Sequence, residues 1–169
     1  MNRRSVLAWM ASAIGCALGV ALAVPAAGYL TFPARKRTVS GSDDPIDLGE
    51  VGALPDGKPV RVAVKVARWR DAWNALTDVT LGAVWLRRDG DSVRALSTVC
   101  PHTGCAVDWD APQKQFRCPC HDSVFDENGA RVSGPAPRAM DALDCAVDGG
   151  RVRVAYRRYR PGVRDREPV

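Results

Sequence analysis

No charged residue occurs between Arg4 and Arg35. From Val6 to Val24 the only clearly polar side chain is Ser12. A helix packed on a water-soluble core would carry a polar face, and this stretch has none. An ordinary surface helix is therefore excluded, and the run is long enough to cross a hydrocarbon core of about 30 Å. Histidine is scarce: the 169 residues contain two. The chain has no internal repeat. The formal charge is +5, yet no single basic patch accounts for it. Basic residues fall near the N-terminus (Arg3, Arg4), after the apolar run (Arg35, Lys36, Arg37) and near the end (Arg157, Arg158, Arg160). That scatter speaks for membrane-flanking charge and a solvated tail, and against nucleic-acid binding.

What is present begins with Asn-Arg-Arg-Ser-Val-Leu, residues 2 to 7, ahead of the apolar run. Twin arginines followed by an apolar run resemble a signal for export of an already folded protein, the alternative being ordinary positive-inside flanking charge. Ala21-Leu22-Ala23 has the small residues of a cleavage site, but the apolar run continues through Pro25 to Leu30, which favours a retained anchor. Cys16 lies within the span as a small apolar residue. Positive charge on both flanks leaves the orientation undetermined by charge alone. Residues 1–32 thus read as signal and transmembrane anchor, and 33–45, rich in Pro, Gly, Ser and charge, as a flexible hinge linker. Residues 46–158 form one small domain, and 159–169 a basic polar tail.

The signals from Ile46 onward are for strands. Val60, Val62, Val64 and Val66 alternate with Arg61, Ala63 and Lys65. Val79 to Leu86 is a β-branched run, and Asp89-Gly90 turns it into Val93–Leu96. Val152 and Val154 alternate with arginines after the turn Asp148-Gly149-Gly150. One helical turn is predicted around Arg70 to Leu76. The fold class is mainly β: a single N-terminal transmembrane helix followed by a small antiparallel sandwich.

Both histidines and four of the six cysteines fall between positions 100 and 121. The two motifs are Cys100-Pro101-His102-Thr103-Gly104-Cys105 and Cys118-Pro119-Cys120-His121-Asp122-Ser123. Cys-x-His and Cys-x-x-His, each in a loop, bring two thiolates and two imidazoles to one site. Zinc accepts such a set. A [2Fe–2S] centre with two Cys on one iron and two His on the other accepts it too. The Cys/His order in both loops, the extra cysteine in each, and the lack of a zinc-finger helix downstream favour iron.

These motifs, with Gly134-Pro135-Ala136-Pro137, resemble the Rieske protein of cytochrome bc complexes, the quinol–cytochrome c reductases. The likeness runs from the N-terminal arginines to about Tyr156 and is tightest from Leu96 to Pro137. It implies a Rieske-type β-sandwich with a [2Fe–2S] cluster, Cys100 and Cys118 on the inner iron, and His102 and His121 on the outer one. It implies a disulfide between Cys105 and Cys120, a Ser123 hydroxyl reaching the cluster, and Gly-Pro-Ala-Pro as a covering loop. The outer histidines, His102 and His121, would take part in quinol oxidation. Implied partners are a cytochrome b subunit, a c-type cytochrome, quinol (menaquinol or ubiquinol) and the bacterial cytoplasmic membrane, with the cluster domain on its outer side.

Three residues depart from the family pattern. Asp122 stands where Gly is usual, Thr103 where a Leu shields the cluster, and Phe125 where a Tyr donates its hydroxyl toward a cysteine sulfur. They bear on the reduction potential more than on the cluster. The alternative reading is the small Rieske subunit of a molybdenum oxidase of the arsenite oxidase type, against which the retained span and the Gly-Pro-Ala-Pro loop weigh. A soluble oxygenase ferredoxin and a zinc-stapled, membrane-tethered binding module are further rivals. Cys145 reads as a buried structural thiol. Trp69, Trp73, Trp85 and Trp109 read as core or interface.

Overall fold

A computed structural model of the chain describes residues 2–32, 44–70 and 74–169. Of the hinge linker expected at 33–45, residues 33–43 lie outside the described residues, as does Trp73. Helix α1 runs over Arg3–Thr31, 29 residues, or about 44 Å at 1.5 Å per residue. Its side chains are exposed throughout, and none after Arg4 is charged. It has the length and composition to cross a membrane. Pro25 lies inside the helix, where its missing amide removes one rung of the ladder. Near the end the Thr31 hydroxyl donates to the Ala27 carbonyl at 2.7 Å, satisfying one of the last carbonyls.

The rest of the described chain is β structure with one 3-10 turn at Val51–Ala53. The strands are β1 (Ile46–Glu50), β2 (Val60–Arg70), β3 (Ala75–Asp89), β4 (Ser92–Ser97), β5 (Asp108–Asp110), β6 (Gln115–Cys118), β7 (Ser123–Phe125), β8 (Arg131–Ser133), β9 (Ala142–Leu143), β10 (Cys145–Asp148) and β11 (Arg151–Val154). They form three sheets, ordered β1-β11-β10, β2-β3-β4-β9 and β5-β6-β7-β8.

The first two sheets make a base. Period-two alternation turns Val64 fully inward on β2 while Arg61, Ala63 and Lys65 are exposed. On β11 the buried Val152 and Val154 alternate with exposed Arg151 and Arg153. Gly149 and Gly150, at φ 56° and 76°, join β10 to β11 with Asp148 opposite Arg151. Two successive positive φ angles make the tight turn that suits a twisted hairpin, and glycine takes them without steric cost. The base core is mainly aliphatic, with Val64, Val84, Leu86, Leu143, Val152 and Val154 at its centre.

The third sheet is an insertion. β4 pairs with β9 through Leu96 opposite Ala142, and Ser97 N donates to Asp141 O at 2.8 Å. Residues 98–141 thus leave the base and return to it at adjacent points. Their own core joins Trp85 and Leu96 of the base to Cys100, Val107, Phe116, Cys118, Phe125, Ala136 and Met140.

The structure corrects two expectations. β2 extends through Arg70 and β3 starts at Ala75, so the ends of the predicted helical turn are strand; residues 71–73 lie outside the described residues. The tail stays largely exposed, yet it is folded. Tyr159 pairs with Pro168 and Arg160 N donates to Glu167 O at 2.9 Å, closing a hairpin that packs back on the insertion. Cys145 is half-buried on β10 rather than fully enclosed, and burial pushes its thiol up. The indoles of Trp85 and Trp109 pack on Phe116, with ring centroids 5.5 and 4.7 Å away, as core residues.

Candidate metal centre

Two loops and a covering turn build the site. The first loop leaves β4 and is closed on itself: Cys100 N donates to Cys105 O at 2.7 Å, and Gly104 N to Cys100 O at 3.0 Å. Below it, Val107 N donates to Thr98 O at 2.8 Å, and the Trp85 indole to Val107 O at 3.0 Å. The ring so formed holds Cys100 completely buried and lifts His102 to the surface.

The second loop is the turn between β6 and β7. Cys118 ends one strand and Ser123, directly opposite it, begins the next. Four residues, Pro119 to Asp122, close the turn. Asp122 has φ 54°, the left-handed region that glycine occupies freely and aspartate tolerates better than most residues. This explains how an Asp can stand where the family usually has Gly.

Cys105 and Cys120 are disulfide-bonded, with Cα atoms 6.6 Å apart, and tie the two loops together. Their sulfurs and that of Cys118 lie within 4.8 Å of one another. Since two of the three are spent on the disulfide, Cys118 is the member free to ligate. Cys118 is 2% exposed and hydrogen-bonds with Cys100. Burial pushes the Cys100 thiol up; the His102 backbone N–H and the Ser123 hydroxyl pull against that, while Cys118 adds to it. Holding thiolates here requires a cation to offset their desolvation.

His102 and His121 face each other at the rim, ring centroids 4.7 Å apart and planes at 87°. His121 is exposed and His102 partly so, yet the Nδ1 of His102 is buried with no hydrogen-bond partner. A buried imidazole nitrogen with no hydrogen-bond partner, on the loop of a buried thiol, fits a metal-ligand role.

Gly134-Pro135-Ala136-Pro137 covers the second loop. A Cβ on Gly134 would stand 2.5 Å from Ser123 Cα and 2.6 Å from Asp122 O, so only glycine permits this approach. Ala136 N donates to Ser123 Oγ at 3.2 Å, which leaves the Ser123 hydroxyl proton for the Cys100 sulfur. Phe125 is fully buried in the same core as Cys100 and Cys118. Thr103 is exposed, with Oγ1 3.8 Å from Cys105 Sγ. The structure sets Cys100 beside Cys118 and His102 beside His121, while the thiols within 4.8 Å of one another are those of Cys105, Cys118 and Cys120. Sequence reasoning did not single out Arg138, whose guanidinium donates to Val163 O and Arg160 O, or Gly162, whose N–H donates to Pro101 O; neither carries a motif.

The chain matches the Rieske [2Fe-2S] domain family over residues 45–144, and with this site geometry it belongs to that family. Its cofactor is accordingly a Rieske [2Fe–2S] cluster, which the buried thiols and the orphaned Nδ1 fit. It is 32% identical to the cytochrome b6-f complex iron-sulfur subunit of Synechococcus sp. (strain JA-3-3Ab), over 72% of this chain and 73% of that protein. It is 29% identical to the menaquinol:cytochrome c reductase iron-sulfur subunit of Bacillus subtilis (strain 168), over 89% of each. The cytochrome b6-f complex iron-sulfur subunit of Gloeobacter violaceus is 30% identical, over 92% of this chain and 83% of that protein.

Proposed function

We propose that this chain is the membrane-anchored electron-transfer subunit of a quinol–cytochrome c reductase. The carrying observation is the pair of rim histidines, one with a buried, unpartnered Nδ1, above two buried thiols. The functions of these relatives support the same reading and weigh against the arsenite oxidase alternative.

Cys100 and Cys118 would hold the inner iron, and His102 and His121 the outer one. When bound, such a cluster supplies one-electron chemistry, taking an electron from quinol and passing it to a c-type haem. The chain's own part is positional and protic. Ligated through Nδ1, His102 would present Nε2 outward, and only in its deprotonated form would that nitrogen accept a hydrogen bond from a quinol hydroxyl and take up its proton. His121, whose ring is exposed, would serve the same role. The disulfide ties the two histidine-bearing loops together and the Gly134 turn packs on the loop of His121, which favours a preformed acceptor for quinol. The Ser123 hydroxyl lends a hydrogen bond at Cys100 and stabilises negative charge there.

In this reading residues 1–32 anchor the chain, 33–45 tether the head, and 46–158 present the cluster on the outer side of the membrane. Arg3 and Arg4 serve export of the folded head. A cytochrome b subunit receives the second electron of the quinol, menaquinol or ubiquinol.

Purification of the full chain from its native membranes tests this. Co-isolated b- and c-type haem with quinol-dependent cytochrome reduction is expected; molybdopterin in their place would overturn it.

A further inference from the structure

The second loop is gripped by the Gly134 turn, whereas the first, which carries His102, has no such cover from that side. We infer that the C-terminal hairpin, residues 159–169, is the brace of the His102 loop, and that Arg138 is its positioning residue. The inference rests on the ligand assignment above.

The hairpin organises itself. Tyr159 pairs with Pro168, Val169 N donates to Arg158 O at 3.0 Å, and the side chains of Arg160 and Glu167 lie 3.1 Å apart. The Arg166 guanidinium lies 4.5 Å from the Tyr159 ring centroid and donates to its hydroxyl at 2.6 Å. Its tip then meets the loop on both sides of His102. Gly162 N donates to Pro101 O at 2.8 Å. A Cβ on Gly162 would lie 3.6 Å from His102 O, and one on Gly104 would lie 3.8 Å from the Pro161 ring.

Arg138 holds that tip. Its guanidinium forks onto the Asp141 carboxylate with two bonds of 2.9 Å, and donates to Val163 O at 2.6 Å and Arg160 O at 3.1 Å. The side chains of Arg138 and Asp141 are 11% and 5% exposed, so water competes little for these bonds. A planar fork with several fixed donors can serve a carboxylate and two carbonyls at once; a lysine ammonium cannot do so with the same geometry. Asp141 is itself anchored, its carbonyl accepting from Ser97 N at the end of β4, where the His102 loop departs. The connection runs from the base through Asp141 and Arg138 to the hairpin tip, and from the tip to Pro101 and His102.

The hairpin and the disulfide are therefore two separate braces on one loop. Losing the hairpin leaves Cys105 joined to Cys120 but frees the Pro101–His102 peptide to tilt the imidazole and admit a chelator.

The test uses the full chain, loaded with its cluster, in detergent. Three forms are compared with the parent: Arg138→Lys, a chain ending at Arg158, and the two combined. The readouts are the rate of iron loss to an excess chelator and the reduced-state electron resonance. Each single change is expected to speed iron loss about tenfold and to alter the resonance, with circular dichroism and the disulfide retained. The combined form should match the shortened chain, because both changes act through the same hairpin. Additive effects would overturn the role of Arg138. An unchanged rate and resonance in the shortened chain would overturn the brace altogether. His102→Ala separates the two levels. Its resonance should vanish; if it persists, the ligand assignment fails and the brace with it, whereas its loss beside an unaffected shortened chain would overturn the brace alone.

Discussion

The base and the insertion solve the same stability problem by different means. The base contains strands of up to 15 residues over an aliphatic core. In the insertion no strand exceeds four residues, and its core mixes aromatic rings with cysteines. Strands that short are not stable by themselves. The disulfide, the Gly134 turn, the Arg138 fork and the cluster supply what the short ladders lack. The base is held by burial spread over many side chains, and the insertion by a few specific links. Such a division suits a site whose geometry must be fixed within tenths of an ångström at an exposed tip.

The largest expected effect breaks the comparison at the metal. His121→Ala should abolish the Rieske resonance, and amides of residues 98–141 should lose exchange protection while those of β2, β3, β4 and β11 keep theirs. Hydrogen exchange followed by mass spectrometry separates the two regions. Uniform loss of protection would show the base to depend on the cluster.

Removing the disulfide comes next. Cys105 and Cys120 are 15 residues apart, and opening a loop of that length costs about 3 kcal/mol on chain-entropy grounds. Urea unfolding of a Cys105→Ser, Cys120→Ser chain should show that loss on the insertion and leave the midpoint of the base unchanged.

Gly134→Ala should cost about 2 kcal/mol, the scale of a residue forced into a sparsely allowed backbone region. The position has φ 89° and no room beside Ser123. The same urea experiment reads it, with weaker retention of iron by the purified chain as a second sign. Full stability would mean that the turn can move away.

Phe125→Tyr should act on potential more than on stability. A hydroxyl reaching a cysteine sulfur stabilises the more negative, reduced state. A hydrogen bond of about 1.5 kcal/mol corresponds to roughly 65 mV for one electron. A redox titration should place the Tyr variant tens of millivolts above the parent and Ser123→Ala below it. If the Tyr hydroxyl bonds a cysteine sulfur without raising the potential, the tuning argument is wrong.

The smallest effect lies in the base. Arg151 donates to Asp47 at 2.6 Å, and with the Gly49 N–H holds that carboxyl below its ordinary value. A depressed folded value means stabilisation present above the unfolded carboxylate value, about 3.9, and lost as the pH falls through the folded one. The pair is exposed and screened by salt. Asp47→Asn should therefore lower the urea midpoint slightly at neutral pH and low salt, and match the parent in acid.

The site was largely legible before the fold. Only two histidines and four clustered cysteines were available, and metal chemistry restricts how such residues combine. Alternation on Val60–Val66 and Arg151–Val154 revealed strands because a half-buried sheet imposes period two. The span from Arg4 to Arg35 revealed the helix because lipid tolerates no charge there.

Other features depend on partners distant in the chain. Arg138 has a local partner in the Asp141 carboxylate, but nothing local marks its reach to Val163 and Arg160, because those acceptors are carbonyls, and every residue has one. Nothing marks residues 159–169 as a folded hairpin, since most stay exposed and their attachment is through backbone groups, Gly162 N to Pro101 O and the Val163 and Arg160 carbonyls to Arg138. Nor does sequence show that residues 98–141 form an insertion, a fact set by the pairing of Leu96 with Ala142 across it. The amino-acid order determined which atoms could ligate and which face of each strand turned inward, because ligand chemistry and side-chain period are local. Tertiary structure decided which backbone groups hold the His102 loop in place, because a main-chain hydrogen bond between remote segments is written in no side chain.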